Sequence, residues 1–142
     1  MAADTEFGGK IGRGYEESEE WWPEPVRPHP DAPNVLIFLL DDVGFGQLSR
    51  SFGGLVDTPN LDRLAENGLR FNDFHTTALC SPTRASLMTG RNPHTIGLGS
   101  HSLTAMGFPG YNAMVPSSCK TGANYLGEAG YFNYALGKWD HT

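Results

Sequence analysis

Asn34 to Leu40 reads NVLIFLL, a run that is apolar from its second residue onward and is stopped by two adjacent carboxylates, Asp41 and Asp42. Seven residues without polar alternation suit a strand buried on both faces rather than the half-wet strand of an open antiparallel sheet. Such a strand needs layers on both sides, which points to a sheet packed between helices.

The rest of the chain supplies candidates for those layers. Thr58-Pro59-Asn60 opens a helix, with Thr58 as cap, Pro59 in the first turn, and Leu61, Leu64 and Ala65 on one face. Gly68 is expected to close it. Leu69 to Phe74 reads as a second strand. Ser81-Pro82 repeats the cap-and-proline pattern, predicting a short helix to about Met88 that ends at Gly90. Arg91 to Ser118 is rich in loop residues. Thr121 to Glu128 predicts a third helix, stopped near Gly130, and Tyr131 to Leu136 a third strand, ending at Gly137-Lys138. The alternation predicts an α/β fold: a partial mixed, mainly parallel sheet flanked by helices. Ligands in such sheets sit beyond the carboxyl ends of the strands. That rule selects Asp41-Asp42, the loop around Cys80, and Lys138.

Residues 1–33 stand apart as an extended, Pro-rich N-terminal arm, with residues 34–142 forming the N-terminal portion of an incomplete domain. Glu16, Glu17, Glu19 and Glu20 make an acidic patch, and prolines at 23, 25, 28, 30 and 33 block helix and central strand. Trp21 and Trp22 are expected to pack this arm onto the main body.

Charge narrows the partners. The formal net charge of −6, with no basic stripe, argues against nucleic acid. No apolar run is long enough to cross a membrane, and the polar, Gly-rich start lacks a signal-type stretch, which predicts a cytoplasmic chain. There are two cysteines, Cys80 and Cys119. A reducing compartment disfavours a disulfide between them, and with no histidine close in sequence they do not predict a zinc site.

Asp41 and Asp42 repel each other unless a cation joins them, so the pair reads either as ligands of a hard divalent ion or as a solvated turn. Cys80 precedes a predicted helix start, where free backbone N–H groups attract anions. Arg84, one turn on, can lean toward the same point, and its guanidinium fork suits a tetrahedral oxyanion. A small buried cysteine beside a surface arginine is the alternative.

The residues around Cys80 decide between these. Cys80-Ser81-Pro82-Thr83-Arg84 followed by Thr89-Gly90-Arg91 resembles the signature of type I, formylglycine-dependent sulfatases of the alkaline phosphatase superfamily. The segments NVLIFLLDDVGFG, DTPNLDRLAENGLRF and EAGYFNYALGKW are similar to sulfatase segments in the same order, and KIGRGYEESEEWWPEPVRP resembles the leader of a bacterial arylsulfatase subgroup. The resemblance implies the N-terminal part of an alkaline-phosphatase-like fold. It implies hydrolysis of small-molecule sulfate esters, with Cys80 oxidised to formylglycine by a maturation enzyme that reads Cys-x-Pro-x-Arg. One hydroxyl of the aldehyde hydrate would attack sulfur, and the other would then release sulfate. The resemblance also implies calcium or magnesium held by Asp41, Asp42 and the oxygen on residue 80. Arg84 would hold that group in place, Lys138 would contact the sulfate or the leaving oxygen, and His94 would orient the hydroxyl unless it is a surface histidine. His75 and His101 are weaker candidates, read as structural or incidental.

Two features depart from the pattern. Sulfatases read Gly-Lys-Trp-His where this chain reads Gly137-Lys138-Trp139-Asp140-His141, so an acid stands in place of a substrate-facing histidine. Gln47 to Phe52 also departs from the small Gly-rich turn expected after Asp42. Sulfatases run to several hundred residues, so this chain is expected to be a fragment, inactive alone. A phosphonate or phosphate monoester hydrolase of the same superfamily and a non-catalytic truncated paralogue are the alternative readings.

Overall fold

A computed structural model describes residues 6–44, 46–50 and 53–140. Three α-helices form: α1 (Pro59–Glu66), α2 (Cys80–Thr89) and α3 (Gly122–Glu128). Short 3-10 turns lie at Tyr15–Glu17, Pro93–Ile96 and Ser102–Thr104.

Helices α1 and α3 begin where the sequence predicts, and α2 begins earlier. In α1, Pro59 occupies the first turn, but Thr58 makes no side-chain cap bond, and Asn67 rather than Gly68 is the C-cap. Leu61 and Ala65 line a cavity of about 200 Å³ with Leu48, Thr58 and Asp62, whereas Leu64 is 71% exposed. Helix α2 starts two residues earlier than expected: Leu79 rather than Ser81 is the N-cap, and Cys80 is itself in the first turn. Gly90 ends it in the left-handed conformation, φ +65°, as a residue without Cβ allows. Helix α3 has a reciprocal capping box, in which the Thr121 hydroxyl accepts from the Asn124 amide and Asn124 Oδ1 accepts from the Thr121 amide.

The sheet is where sequence and structure part. Residues 34–40, 69–74 and 131–136 carry no strand ladder. The bridges among the described residues are Lys10 with Glu19, antiparallel, and Leu48 with Val56, parallel. The apolar side chains chosen for a buried strand are open, with Leu36 88% and Phe38 73% exposed. A strand exists only through hydrogen bonds to neighbours, and the described residues bring none into ladder register. One trace of the expected arrangement is present. The Tyr131 hydroxyl donates to the Pro33 carbonyl at 3.0 Å, and Lys138 Nζ donates to Asp41 Oδ2 at 2.9 Å. Start meets start and end meets end, so 33–41 and 131–138 run side by side in the same direction.

The buried core is small: Ala85 of α2 with Ile96 and Leu98, flanked by Ala113, Val115 and Cys119. Helix α2 packs against the Pro93–Ile96 turn and against α3. Gly97 completes this corner. Its φ is +81°, and a Cβ there would overlap Asn112 Oδ1 and the Met114 carbonyl.

The arm does not dock through its tryptophans. Trp21 packs edge-on against Phe7 within the arm, ring centroids 6.1 Å apart, and Trp22 is 79% exposed. The arm folds back on itself through the Lys10–Glu19 pair. It meets the body at Gly130, φ +90°, where an added Cβ would overlap the Arg27 backbone, and at Pro33.

Candidate active site

The N-terminus of α2 is the fixed point of the site. Its first-turn amides have no intrahelical acceptors and carry partial positive charge. Ser81, Pro82 and Arg84 are buried there. Cys80 is half-buried and, like Cys119, a free thiol.

Arg84 joins three segments far apart in sequence. Its side chain is 10% exposed. Nη2 donates to Asp41 Oδ1 at 3.0 Å and Nη1 to the Lys138 carbonyl at 2.7 Å. Lys138 Nζ closes the triangle on the second oxygen of Asp41. Hydrogen bonds from Lys138, then from Arg84, hold the Asp41 carboxyl below its ordinary value of 3.8. The Lys138 ammonium is raised in turn, chiefly by its bond to Asp41. Asp42 has φ +51°, a conformation that aspartate tolerates better than most residues. An open cleft of about 760 Å³ is lined by Asp41, Asp42, Cys80, Thr83 and Arg84. The three places chosen from the sequence therefore converge.

His94 lies on a different network. Its ring nitrogens face Asn92 Oδ1 at 3.2 Å and the Tyr111 hydroxyl at 3.1 Å, and the Tyr111 ring packs edge-on against it. No described hydrogen bond links it to Cys80 or Arg84. His75 pairs with Asp73 on an exposed surface.

His101, read as structural or incidental from the sequence, lies beside Cys80 and Asp140. Ser81 Oγ accepts from the Ser102 amide at 3.1 Å and donates to Ser102 Oγ at 3.3 Å, which fastens the loop carrying His101 to the start of α2. His101 Nδ1 accepts from the Leu103 amide at 3.1 Å, so the neutral ring carries its proton on Nε2. That nitrogen stands 3.7 Å from Asp140 Oδ1. Ligand atoms of Cys80, His101 and Asp140 all lie within 4.8 Å of one another. Nothing in the local sequence signals this, because the contacts span 21 residues between Ser81 and Ser102.

Asp140 faces the thiol rather than open solvent. Hydrogen bonding from Cys80, outweighing burial, lowers its pKa, with smaller help from Ser81, Lys138 and His101. Oδ2 is buried without a hydrogen-bond partner, and Lys138 Nζ is 3.8 Å away. His141, the other candidate at this point, lies outside the described residues. No helix among the described residues is long and apolar enough to cross a membrane.

Comparison with known proteins gives one consistent result. The family model described as Sulfatase matches residues 33–142. An uncharacterized sulfatase of Schizosaccharomyces pombe is 39% identical over 114 residues, covering 75% of this chain and 20% of that protein. Arylsulfatase G of Rattus norvegicus is 42% identical over 108 residues, with the same two coverages. An arylsulfatase of Klebsiella aerogenes is 33% identical over 111 residues, covering 77% of this chain and 24% of its own length. The chain thus spans about a fifth of the length of the curated relatives it matches. No solved structure matches it.

Proposed function

We propose, from the premise that this chain belongs to the sulfatase family, that it carries the nucleophile end of an arylsulfatase site, acting on sulfate monoesters through an oxidised Cys80. The observation that carries this is the Arg84 clamp, which gathers Asp41 and Lys138 around the helix start that bears Cys80.

The chain's own residues account for anion binding. A sulfate ester entering the cleft meets the free amides of α2, which favour negative charge. Lys138 already holds a carboxylate oxygen and can exchange it for a sulfate oxygen of the same hydrogen-bonding character. Arg84, with Nη1 and Nη2 each bonded to the protein, is a positioning residue that keeps Asp41 and Lys138 at fixed places. As formylglycine hydrate, residue 80 would supply the hydroxyl that attacks sulfur.

The donor set fits a hard divalent cation. Asp41 and Asp42 both line the cleft, and each Asp41 oxygen keeps a lone pair beyond its hydrogen bond. Calcium or magnesium would be held by these two carboxylates and the oxygen on residue 80. Bound there, the ion supplies charge neutralisation for sulfate and a lowered pKa for the hydrate.

The test is mass spectrometry of the peptide bearing Cys80 after co-expression with a formylglycine-generating enzyme, followed by assay against an aryl sulfate with calcium or magnesium in a polypeptide of full family length. Oxidation exchanges one sulfur for oxygen and removes two hydrogens. Turnover that disappears in Cys80→Ser is expected. An unmodified thiol, or turnover that survives Cys80→Ser, overturns the proposal.

A further inference from the structure

We propose that, while residue 80 is still a cysteine, Cys80, His101 and Asp140 form a site for a thiophilic divalent cation, Zn²⁺ above all. It is distinct in ligand chemistry from the all-oxygen pair Asp41 and Asp42. The proposal concerns the thiol form and does not rest on the sulfatase reading.

The donor set is one sulfur, one imidazole nitrogen and one carboxylate oxygen. Zinc accepts all three and commonly keeps a fourth, open position for water. Bond lengths of about 2.0–2.3 Å in a tetrahedron place ligand atoms roughly 3.3–3.7 Å apart. His101 Nε2 and Asp140 Oδ1 are 3.7 Å apart, and the whole triad lies within 4.8 Å, so small side-chain movements close it. All three residues are half-buried, with the side chains of His101 and Asp140 26% and 12% exposed, so the site is sheltered yet reachable.

Two further observations point the same way. Asp140 Oδ2 is buried with no hydrogen-bond partner, which leaves a carboxylate lone pair open to a cation. The loop that brings His101 is tied to α2 by the Ser81–Ser102 hydrogen bonds, so the ligands are held before any ion arrives. Lys138 Nζ, 3.8 Å from Asp140 Oδ2, opposes a cation, but its charge is already engaged by Asp41 at 2.9 Å.

Binding rearranges protons in a defined way. Cys80 loses its thiol proton to solvent. The His101 ring proton moves from Nε2 to Nδ1, and the Leu103 amide that Nδ1 accepted turns to water. Leu103 is 87% exposed, so water replaces that bond readily.

The experiment is titration of the chain, with Cys80 reduced and unmodified, by Co²⁺ as a spectroscopic stand-in, followed by displacement with Zn²⁺. A thiolate-to-cobalt charge-transfer band should appear and then vanish on adding Zn²⁺. Cys119→Ser should leave it unchanged. Cys80→Ser should abolish it. His101→Asn, whose side-chain oxygen can still accept from the Leu103 amide, and Asp140→Asn should each weaken binding at least about tenfold. Circular dichroism of each variant, matched to the parent chain, separates lost ligands from lost fold. Absence of the band, a band that survives Cys80→Ser, a band lost with Cys119→Ser, or unchanged affinity in both His101→Asn and Asp140→Asn overturns the proposal.

Discussion

Replacing Leu98 by alanine should cost this chain about 3 kcal/mol, while the same change at Leu136 should stay within about 0.5 kcal/mol. Leu98 is 0% exposed and Leu136 98% exposed. Leu98 belongs to a core of three fully buried residues with Ala85 and Ile96. Its loss removes roughly 1.5–3 kcal/mol of transfer free energy and leaves a cavity besides. The flanking residues Ala113, Val115 and Cys119 are only partly buried and can relax inward, which keeps the cost toward the middle of the usual range of about 2–5 kcal/mol. A loss of about 3 kcal/mol is roughly two powers of ten in the folded-to-unfolded ratio, large against the marginal stability of any domain. Urea unfolding followed by tryptophan fluorescence measures it. With a slope of about 2 kcal/mol per molar, the Leu98→Ala midpoint should fall by about 1–2 M and the Leu136→Ala midpoint should hardly move. Equal losses at the two leucines, or a Leu98→Ala loss under about 1 kcal/mol, would refute the assignment of the core.

Three other outcomes are expected. Folding lowers the Asp41 pKa, so its contacts with Lys138 and Arg84 add stability above the ordinary carboxylate value of 3.8 and lose it as pH falls through the lower native value. A carboxyl-resolved NMR titration should give a native midpoint below 3.8, and Lys138→Met should move it upward. Gly97→Ala should destabilise by more than the roughly 1–2 kcal/mol of left-handed strain alone, because its Cβ would also overlap Asn112 and Met114, whereas Gly90→Ala meets nothing within 4 Å; urea midpoints compare the two. Thr121→Ala should cost about 1 kcal/mol through loss of the capping box, and Thr121→Ser should restore most of it in the same assay.

What the sequence made legible was local. Pro59–Glu66, Cys80–Thr89 and Gly122–Glu128 were legible because first-turn prolines, the Thr121 cap and the terminal Gly90 act within one or two turns. Residues 34–40 show the opposite case. Their composition is that of a buried strand, but a ladder is a property of two segments, and the described chain brings 131–138 alongside without pairing backbones. At the site, Asp41, Cys80, Arg84 and Lys138 were readable because each lies at an element end or in a spaced motif. His101 was not readable, since its place depends on a serine pair 21 residues apart. Asp140 was noticed as a departure from the family pattern, but its contact with the thiol emerges only in three dimensions.

The helical state of the signature would impose an order of events on the proposed oxidation of Cys80. Ser81, Pro82 and Arg84 are buried, and Cys80 to Arg84 lie within α2, wound so that successive side chains leave in different directions. A modifying enzyme that reads Cys80, Pro82 and Arg84 as one extended peptide finds them so arranged only before α2 docks against Ile96 and Leu98. Were Cys80 oxidised as proposed, that step would run against the clock of folding, and a variant that folds faster would leave less time for conversion.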